Sequence, residues 1–305
     1  MIPILFAMPG NEAFTLHLDR AISCEVGQME MRRFPDGETY VRLRSPVYGR
    51  DVVFVCTLDR PDEKLISLYL AVRTARELGA RRVGLVAPYL SYMRQDARFK
   101  EGEGITSAHI AAFLSDFLDW LVTVDPHLHR HHRLNEIYSI PTKVVHAAPA
   151  IGDWIAEHVD NPVIIGPDAE SEQWAAKAAE SVRCPYVVLE KTRKGDHEVE
   201  VTEVAESWGT GGWKGGTPVL VDDITSTGQT MIAATRRLKQ AGLPPPVCIS
   251  VHPVFAGSAF EDLHAEGVAD IVSCNTIHHS TNRIDVAEAI AVAAVELMAI
   301  LPING

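Results

Sequence analysis

The segment 219–230 has the residue types of a site for a phosphorylated sugar. A short apolar run, Val219–Val221, is followed by two carboxylates, Asp222 and Asp223, and then by a hydroxyl-rich loop. The helical pattern from Thr230 predicts a helix N-terminus beside this loop, where backbone N–H groups and the helix dipole favour a phosphate. The carboxylates can accept hydrogen bonds from ribose hydroxyls or hold a hydrated cation. A plain helix cap would explain the hydroxyls but not the acidic pair, so we favour a sugar-phosphate site.

Charged side chains also follow other apolar runs of the chain. Lys191 and Arg193 alternate on an extended segment and therefore point to the same side. Two cations there could stabilise negative charge on a transferring phosphoryl group. His127 and Asp168 each follow a predicted strand and could hold Mg²⁺, directly or through water. The other histidines of the His-rich run 127–132, His129, His131 and His132, are interpreted as a solvated loop, because no cysteine or second His pair completes a transition-metal site.

The elements that must position these residues alternate along nearly the whole chain. Such alternation predicts βαβ units and mostly parallel sheets with helices on both faces. The predicted strands are Ile4–Ala7, Val52–Thr57, Val83–Ala87, Leu121–Val124, Val163–Ile165, Tyr186–Leu189, Val219–Val221, Ile249–Val251 and Ile271–Cys274. The predicted helices are Glu63–Leu78, Thr106–Phe117, Ile151–His158, Glu170–Ser181, Thr230–Gln240 and Val286–Ala299. The segments Met29–Leu43 and Glu198–Val204 alternate as antiparallel strands do.

Two domains are expected. A boundary near Ala147–Ala150 divides the chain into an N-terminal domain, 1–146, and a C-terminal domain, 147–305. In open α/β sheets, ligands bind outside the carboxyl ends of the strands. Two similar α/β domains would therefore place the active site in a cleft between them.

Composition narrows the class of protein. The 305 residues include 47% hydrophobic residues, enough for substantial cores, and the net charge of −12 argues against broad binding to nucleic acid. No apolar run reaches the ~20 residues of a membrane span, and the N-terminal residues are interpreted as a first strand. The five cysteines form no CxxC pattern and suit a reducing cytoplasm. There is no P-loop sequence, so any ATP must be held in another way.

The ordered set of motifs resembles the ribose-phosphate diphosphokinases, also called phosphoribosyl pyrophosphate synthetases. The resemblance covers nearly the whole chain, although the last motif is shared with phosphoribosyltransferases. The matching segments are Phe34–Glu38, Tyr89–Asp96, Glu103–Thr106, Asp125–His127, Lys191–Arg193 and Asp222–Thr230.

The resemblance implies a fold and a reaction. The fold is two type I phosphoribosyltransferase-like domains, each a mostly parallel sheet flanked by helices. The reaction transfers the diphosphoryl group of ATP to the anomeric hydroxyl of ribose 5-phosphate, with Mg²⁺ as cofactor, and releases AMP. A homo-oligomer, at least a dimer, is implied because a neighbouring subunit supplies some of the adenine contacts.

Residue roles carry over position by position. Those implied for ATP binding are Phe34, Asp36, Glu38, Arg94 and Gln95. The implied catalytic cations are Lys191 and Arg193, and the implied metal pair is His127 and Asp168. Those implied for ribose 5-phosphate are Asp222, Asp223, Thr225, Ser226, Thr227, Gly228, Gln229 and Thr230.

Departures from the family pattern keep alternatives open. The Gly-Gly pair that often follows the residue matching Asp168 is replaced by Ala169–Trp174, and Ser226 stands where many members carry a third acid. One alternative is a catalytically silent regulatory paralogue of a synthetase. Others are a phosphoribosyltransferase and an active enzyme with a different sugar-phosphate acceptor.

Overall fold

The structure, a computed structural model, describes residues 2–22, 24–128, 130–189 and 215–300. The chain divides into two compact units. One comprises the chain up to Val145 together with the segment from Val286 onward, and the other comprises His146–Asp285. Each unit contains a six-stranded sheet in which all neighbouring strands are parallel. The predicted α/β class is confirmed.

The sheet of the first unit has the order β2-β1-β5-β6-β7-β8, and β3 pairs with β4 in a separate antiparallel hairpin. The strands are β1 (Ile4–Ala7), β2 (Glu25–Val26), β3 (Met29–Arg33), β4 (Thr39–Leu43), β5 (Asp51–Val55), β6 (Arg82–Ala87), β7 (Trp120–Val124) and β8 (Thr142–Val145). The helices that precede β8 are α1 (Glu12–Ile22), α2 (Pro61–Glu77) and α3 (Thr106–Phe117). The hairpin confirms the alternation seen in Met29–Leu43.

The sheet of the second unit has the order β10-β9-β11-β12-β13-β14. Its strands are β9 (Pro162–Gly166), β10 (Tyr186–Val188), β11 (Thr217–Thr225), β12 (Val247–Pro253), β13 (Asp270–Cys274) and β14 (Asn282–Ile284). Its helices are α4 (Ala148–His158), α5 (Glu172–Val182), α6 (Gln229–Gln240) and α7 (Ala259–Ala265). The predicted strand Glu198–Val204 lies outside the described residues.

The central strands are apolar because both of their faces are covered. Residues 52–55 of β5 and 219–221 of β11 are fully buried, as expected for parallel strands covered by helices. The core of the first unit includes Phe6, Phe54 and Leu85, and that of the second includes Ile165 and Leu220. These cores fix the strands whose carboxyl ends carry the candidate site.

The expected division differs from the structure at the C-terminal helix. Helix α8 (Ala287–Ile300) contacts α1, β7 and β8, and therefore belongs to the first unit and not to a continuous domain 147–305. Its buried face includes Ile290 and Leu297, and its Glu296 pairs with Lys143 of β8. Amphipathic spacing predicts that a helix buries one face, but it does not say which sheet that face covers.

The structure contains helices and strands that the sequence analysis did not predict. They are α1, α7, β2, β8 and β14. Among the described helices, none is both long and apolar enough to cross a membrane.

Candidate active site

The acidic pair lies within strand β11 and not after it, which corrects the expected strand end at Val221. The strand continues to Thr225 because β12 remains paired with it, with Asp222 opposite Ser250 and Ile224 opposite His252. The Asp222 carboxylate accepts a hydrogen bond from the Asp223 backbone N–H at 3.0 Å, and Asp223 accepts one from the Ile224 N–H at 2.7 Å. Both carboxylates are therefore fixed by the backbone at the carboxyl end of a central strand.

Asp168 follows the neighbouring strand and acts electrostatically on Asp222. It follows β9, which pairs directly with β11. Its side chain is buried and accepts hydrogen bonds from the backbone N–H groups of Glu170 at 3.1 Å and Ser171 at 3.3 Å. In return, the Ser171 hydroxyl oxygen accepts a hydrogen bond from the Asp168 backbone N–H at 3.2 Å, and the same hydroxyl donates to the Asp168 carbonyl oxygen at 2.6 Å. This capping box fixes the orientation of the Asp168 carboxylate.

The environment of Asp222 disfavours its negative charge. Burial raises the pKa of Asp222 well above its ordinary value, and repulsion from Asp223 and then Asp168 raises it further. Three carboxylates thus interact at adjacent strand ends of the second unit. A cation or a set of hydroxyl donors at this position would favour the ionised forms.

The loop after β11 leads directly into helix α6. Gly228 precedes the helix with a φ of 72°, a left-handed conformation that glycine adopts without strain. The first N–H groups of a helix have no partner within it, so they face outward as donors for an anion. Thr227 and Gln229 are exposed here, whereas Thr225 is buried and its hydroxyl bonds to that of Ser250.

A second loop supports this one from the end of β12. The Phe255 N–H donates to the Thr225 carbonyl oxygen and the Ala256 N–H to the Ser226 carbonyl oxygen, both at 2.9 Å. Phe255 has a φ of 37° and its ring contacts Phe260 and His279. Sequence reasoning missed this support, because nothing in the run 253–257 indicates which loop it contacts.

In the first unit, the predicted ATP residues Arg94 and Gln95 lie in the loop between β6 and α3. Arg94 is exposed. Gln95 is held at the start of α3, where its side-chain oxygen accepts from the Thr106 hydroxyl at 3.2 Å and its carbonyl oxygen accepts from the Ser107 N–H at 3.3 Å.

The other predicted ATP residues lie together at the tip of the β3–β4 hairpin. Phe34, Asp36 and Glu38 are all exposed. The Phe34 N–H donates to the Glu38 carbonyl oxygen at 2.8 Å, and the Asp36 carboxylate accepts from the Glu38 N–H at 3.3 Å. The Arg32 guanidinium lies 4.7 Å from the centre of the Phe34 ring and covers it. The tip thus presents an aromatic ring and two carboxylates to solvent.

The two members of the predicted metal pair are in different units. His127 is partly buried after β7 in the first unit, whereas Asp168 is in the second. Within the described parts of the chain, no group of three or more His, Cys, Asp or Glu side chains is arranged to hold a metal ion. Mg²⁺ commonly takes one or two protein carboxylates and completes its coordination with water and substrate phosphates. The predicted catalytic cations, Lys191 and Arg193, lie outside the described residues.

Comparison with known proteins decides the family. A family model described as the N-terminal domain of ribose phosphate pyrophosphokinase matches residues 3–117, and a phosphoribosyl transferase domain model matches residues 142–288. The ribose-phosphate pyrophosphokinase of Saccharolobus solfataricus is 35% identical over 282 residues, covering 90% of this chain and 94% of that protein. The chain belongs to the ribose-phosphate pyrophosphokinase family.

Other relatives agree with this assignment. The ribose-phosphate pyrophosphokinase of Methanopyrus kandleri is 33% identical over 282 residues, covering 92% of this chain and 94% of that protein. The crystal structure of phosphoribosylpyrophosphate synthetase from Mycobacterium smegmatis has a TM-score of 0.83 at 22% identity, covering 98% of this chain and 99% of that one. The fold is therefore that of the family, and the protein is a transferase of the ribose-phosphate diphosphokinase class.

Proposed function

We propose that this ribose-phosphate pyrophosphokinase transfers the β,γ-diphosphoryl group of ATP to the anomeric hydroxyl of ribose 5-phosphate in a Mg²⁺-dependent reaction. The observation that carries the proposal is the placement of Asp222 and Asp223 near the carboxyl end of β11, the strand whose following loop enters helix α6. This arrangement combines acceptors for sugar hydroxyls with donors for a phosphate on one continuous segment.

Ribose 5-phosphate is assigned to this segment because its two kinds of group, the ribose hydroxyls and the 5-phosphate, need acceptors and donors that lie in two different parts of it. The Asp222 and Asp223 carboxylates accept hydrogen bonds from the ribose hydroxyls. The 5-phosphate binds the loop 225–230, where the N–H groups that begin α6 and the hydroxyls of Ser226, Thr227 and Thr230 serve as donors. The loop is held by Phe255 and Ala256 through the two backbone hydrogen bonds at 2.9 Å, so its donors are preorganised.

ATP is assigned to the two exposed segments of the first unit. Arg94 contacts the phosphates and Gln95 contacts the nucleoside. The exposed Phe34 ring offers a surface on which a purine can stack, and Asp36 and Glu38 offer acceptors for its amino group or for ribose hydroxyls. In the assembly that we propose, which is at least a dimer, the hairpin tip of one subunit contacts the ATP that is bound to its neighbour.

The residues present fit Mg²⁺ bound together with substrate phosphates. Asp168 and its acidic neighbours supply hard oxygen donors, and the raised pKa of Asp222, caused by burial and by repulsion from Asp223 and Asp168, supports the binding of a cation there. We assign His127 and Asp168 to the metal, directly or through water. Bound Mg²⁺ would supply neutralisation of phosphate charge.

The chemical step needs positioning and charge neutralisation more than a covalent nucleophile. The anomeric oxygen of ribose 5-phosphate forms a bond to the β-phosphorus of ATP and loses its proton, the bond from the β-phosphorus to the α-phosphate oxygen breaks, and AMP leaves. Lys191 and Arg193 are proposed to stabilise the charge that develops on the transferring group.

The described cysteines are all free thiols, which supports a cytoplasmic location.

One assay tests the proposal against the alternatives. The purified protein is incubated with ATP, Mg²⁺ and ribose 5-phosphate, and AMP is measured with the 1-diphosphorylated sugar. Production of both in equal amounts supports the synthetase. A silent regulatory paralogue or a phosphoribosyltransferase forms neither with any metal or sugar phosphate, and an enzyme with another acceptor forms AMP only when a different sugar phosphate is supplied.

A further inference from the structure

One ion pair, between the buried Asp96 and the exposed Arg130, joins two strand-end loops of the first unit. Asp96 lies two residues after Arg94, and Arg130 lies three residues after His127. An Arg130 guanidinium nitrogen is 2.7 Å from one Asp96 carboxylate oxygen, and the Arg130 backbone N–H donates to the other at 3.3 Å. The Asp96 side chain is only 3% exposed.

Arg130 also contacts a second residue of the same loop. Its guanidinium lies 5.0 Å from the centre of the Phe99 ring, within the range of a cation–π contact. A single side chain therefore holds the loop after β6 at Asp96 and at Phe99. Because Gln95 is already bound to Thr106 and Ser107 at the start of α3, the loop is held at three positions that follow Arg94.

The Asp96 carboxylate is costly to bury, and this suggests a positional role for its pair with Arg130. Burying a carboxylate carries a desolvation penalty that its partner only partly offsets, and an apolar pair of similar volume is often as stable. Within the described residues, Arg130 provides both donors that reach the Asp96 carboxylate. An apolar pair could pack at this place, but it would not impose a fixed distance and direction between the two loops.

We propose that Arg130 is a positioning residue for ATP, because its pair with Asp96 fixes the loop of Arg94 and Gln95 relative to the strand end that carries His127. The inference rests on the proposed function, in which these loops bind ATP and its metal. It also gives Arg130, which lies within the His-rich run, a role that does not involve a transition metal.

The decisive experiment separates stability from positioning. Arg130→Met leaves Asp96 without its charged partner, so we expect a lower melting temperature and an ATP KM raised about tenfold or more. In Asp96→Asn/Arg130→Met no charge is buried unpaired, so the melting temperature returns toward that of the wild type. The ion pair is still missing in this double variant, so its ATP KM stays high while its KM for ribose 5-phosphate stays within about twofold of the wild type.

Controls distinguish a failed inference from a failed function. Arg133→Met, which removes an exposed arginine from the same loop, leaves both KM values unchanged, and Arg130→Lys, which keeps the charge but not the planar group, is intermediate. Hydrogen exchange of the Ser107 amide, which needs no activity, is faster in the double variant than in the wild type. If the wild type is inactive but the Ser107 amide still exchanges faster in the double variant, the proposed function is overturned and the role of Arg130 is not. An ATP KM in the double variant within about twofold of the wild type, or an unchanged Ser107 amide, overturns the role of Arg130.

Discussion

Replacing Gly228 by alanine tests whether the loop before helix α6 binds the sugar phosphate. Gly228 has a φ of +72°, and an added Cβ would lie 3.4 Å from the Ala259 carbonyl oxygen and 3.6 Å from the Ala259 Cβ. These are ordinary contacts, so the cost of the substitution is mainly the left-handed backbone. That cost is about 1–2 kcal/mol for a residue with a Cβ.

The other end of the same helix provides a matched control. Gly242 has a φ of +74°, and an added Cβ there would have nothing within 4 Å. Gly242→Ala therefore carries the same backbone strain at a position remote from the loop. Each substitution should lower the melting temperature by a few degrees, at roughly 3 °C per kcal/mol for a unit of this size.

Only the substitution at Gly228 should affect the sugar substrate. The strain is relieved by rotating the peptide groups that begin α6, and these groups carry the proposed phosphate donors. A loss of 1–2 kcal/mol in binding corresponds to about a fivefold to thirtyfold rise in the KM for ribose 5-phosphate. Initial rates at saturating ATP measure it. An unchanged KM in Gly228→Ala, or an equal rise in Gly242→Ala, would refute the placement of the phosphate.

Three further predictions concern charged residues. Burial opposes ionisation of Asp51, but hydrogen bonds from Arg82 and Arg81 lower its pKa from 3.8 to about 2, and a lowered pKa stabilises the fold above pH ~4, a stabilisation that is lost as the pH falls to ~2. Between these pH values, the free energy of unfolding measured in urea should therefore fall by about 2 kcal/mol more in the wild type than in Asp51→Asn. Equal losses in the two proteins would contradict this prediction. Asp223→Asn should raise the KM for ribose 5-phosphate about tenfold or more and leave that for ATP unchanged; initial rates with each substrate varied decide, and a rise for ATP alone would reverse the assignment. Lys191→Ala and Arg193→Ala should each lower kcat about a hundredfold or more with little change in ATP binding, and near-normal turnover in either would remove that residue from the chemistry.

Local patterns in the sequence predict most of the frame of this protein. The apolar run of β5 and the helical spacing of α3 depend on neighbours along the chain, and both elements are where the sequence places them. The hairpin 29–43 follows from alternation over a short segment. Such features are local because side-chain periodicity within an element decides which face is buried.

Features that depend on contacts distant in sequence could not be read from the chain. Strand β11 continues through Asp222 because β12 pairs with it, and nothing in 219–225 alone specifies that partner. Helix α8 buries an apolar face against the first unit, although it follows the second in sequence. The ion pair of Asp96 and Arg130 joins residues 34 positions apart, and opposite charges at that separation are common in any sequence.

The fate of the phosphorus atoms of ATP distinguishes diphosphoryl transfer from every other use of ATP. With ATP labelled at the β-phosphorus, Mg²⁺ and ribose 5-phosphate, we expect the label in the sugar product as part of a diphosphate on carbon 1, with unlabelled AMP formed in equal amount. Label recovered in ADP, or in a sugar carrying a single transferred phosphoryl group, would contradict diphosphoryl transfer. Complete retention of label in ATP would contradict catalysis by this chain.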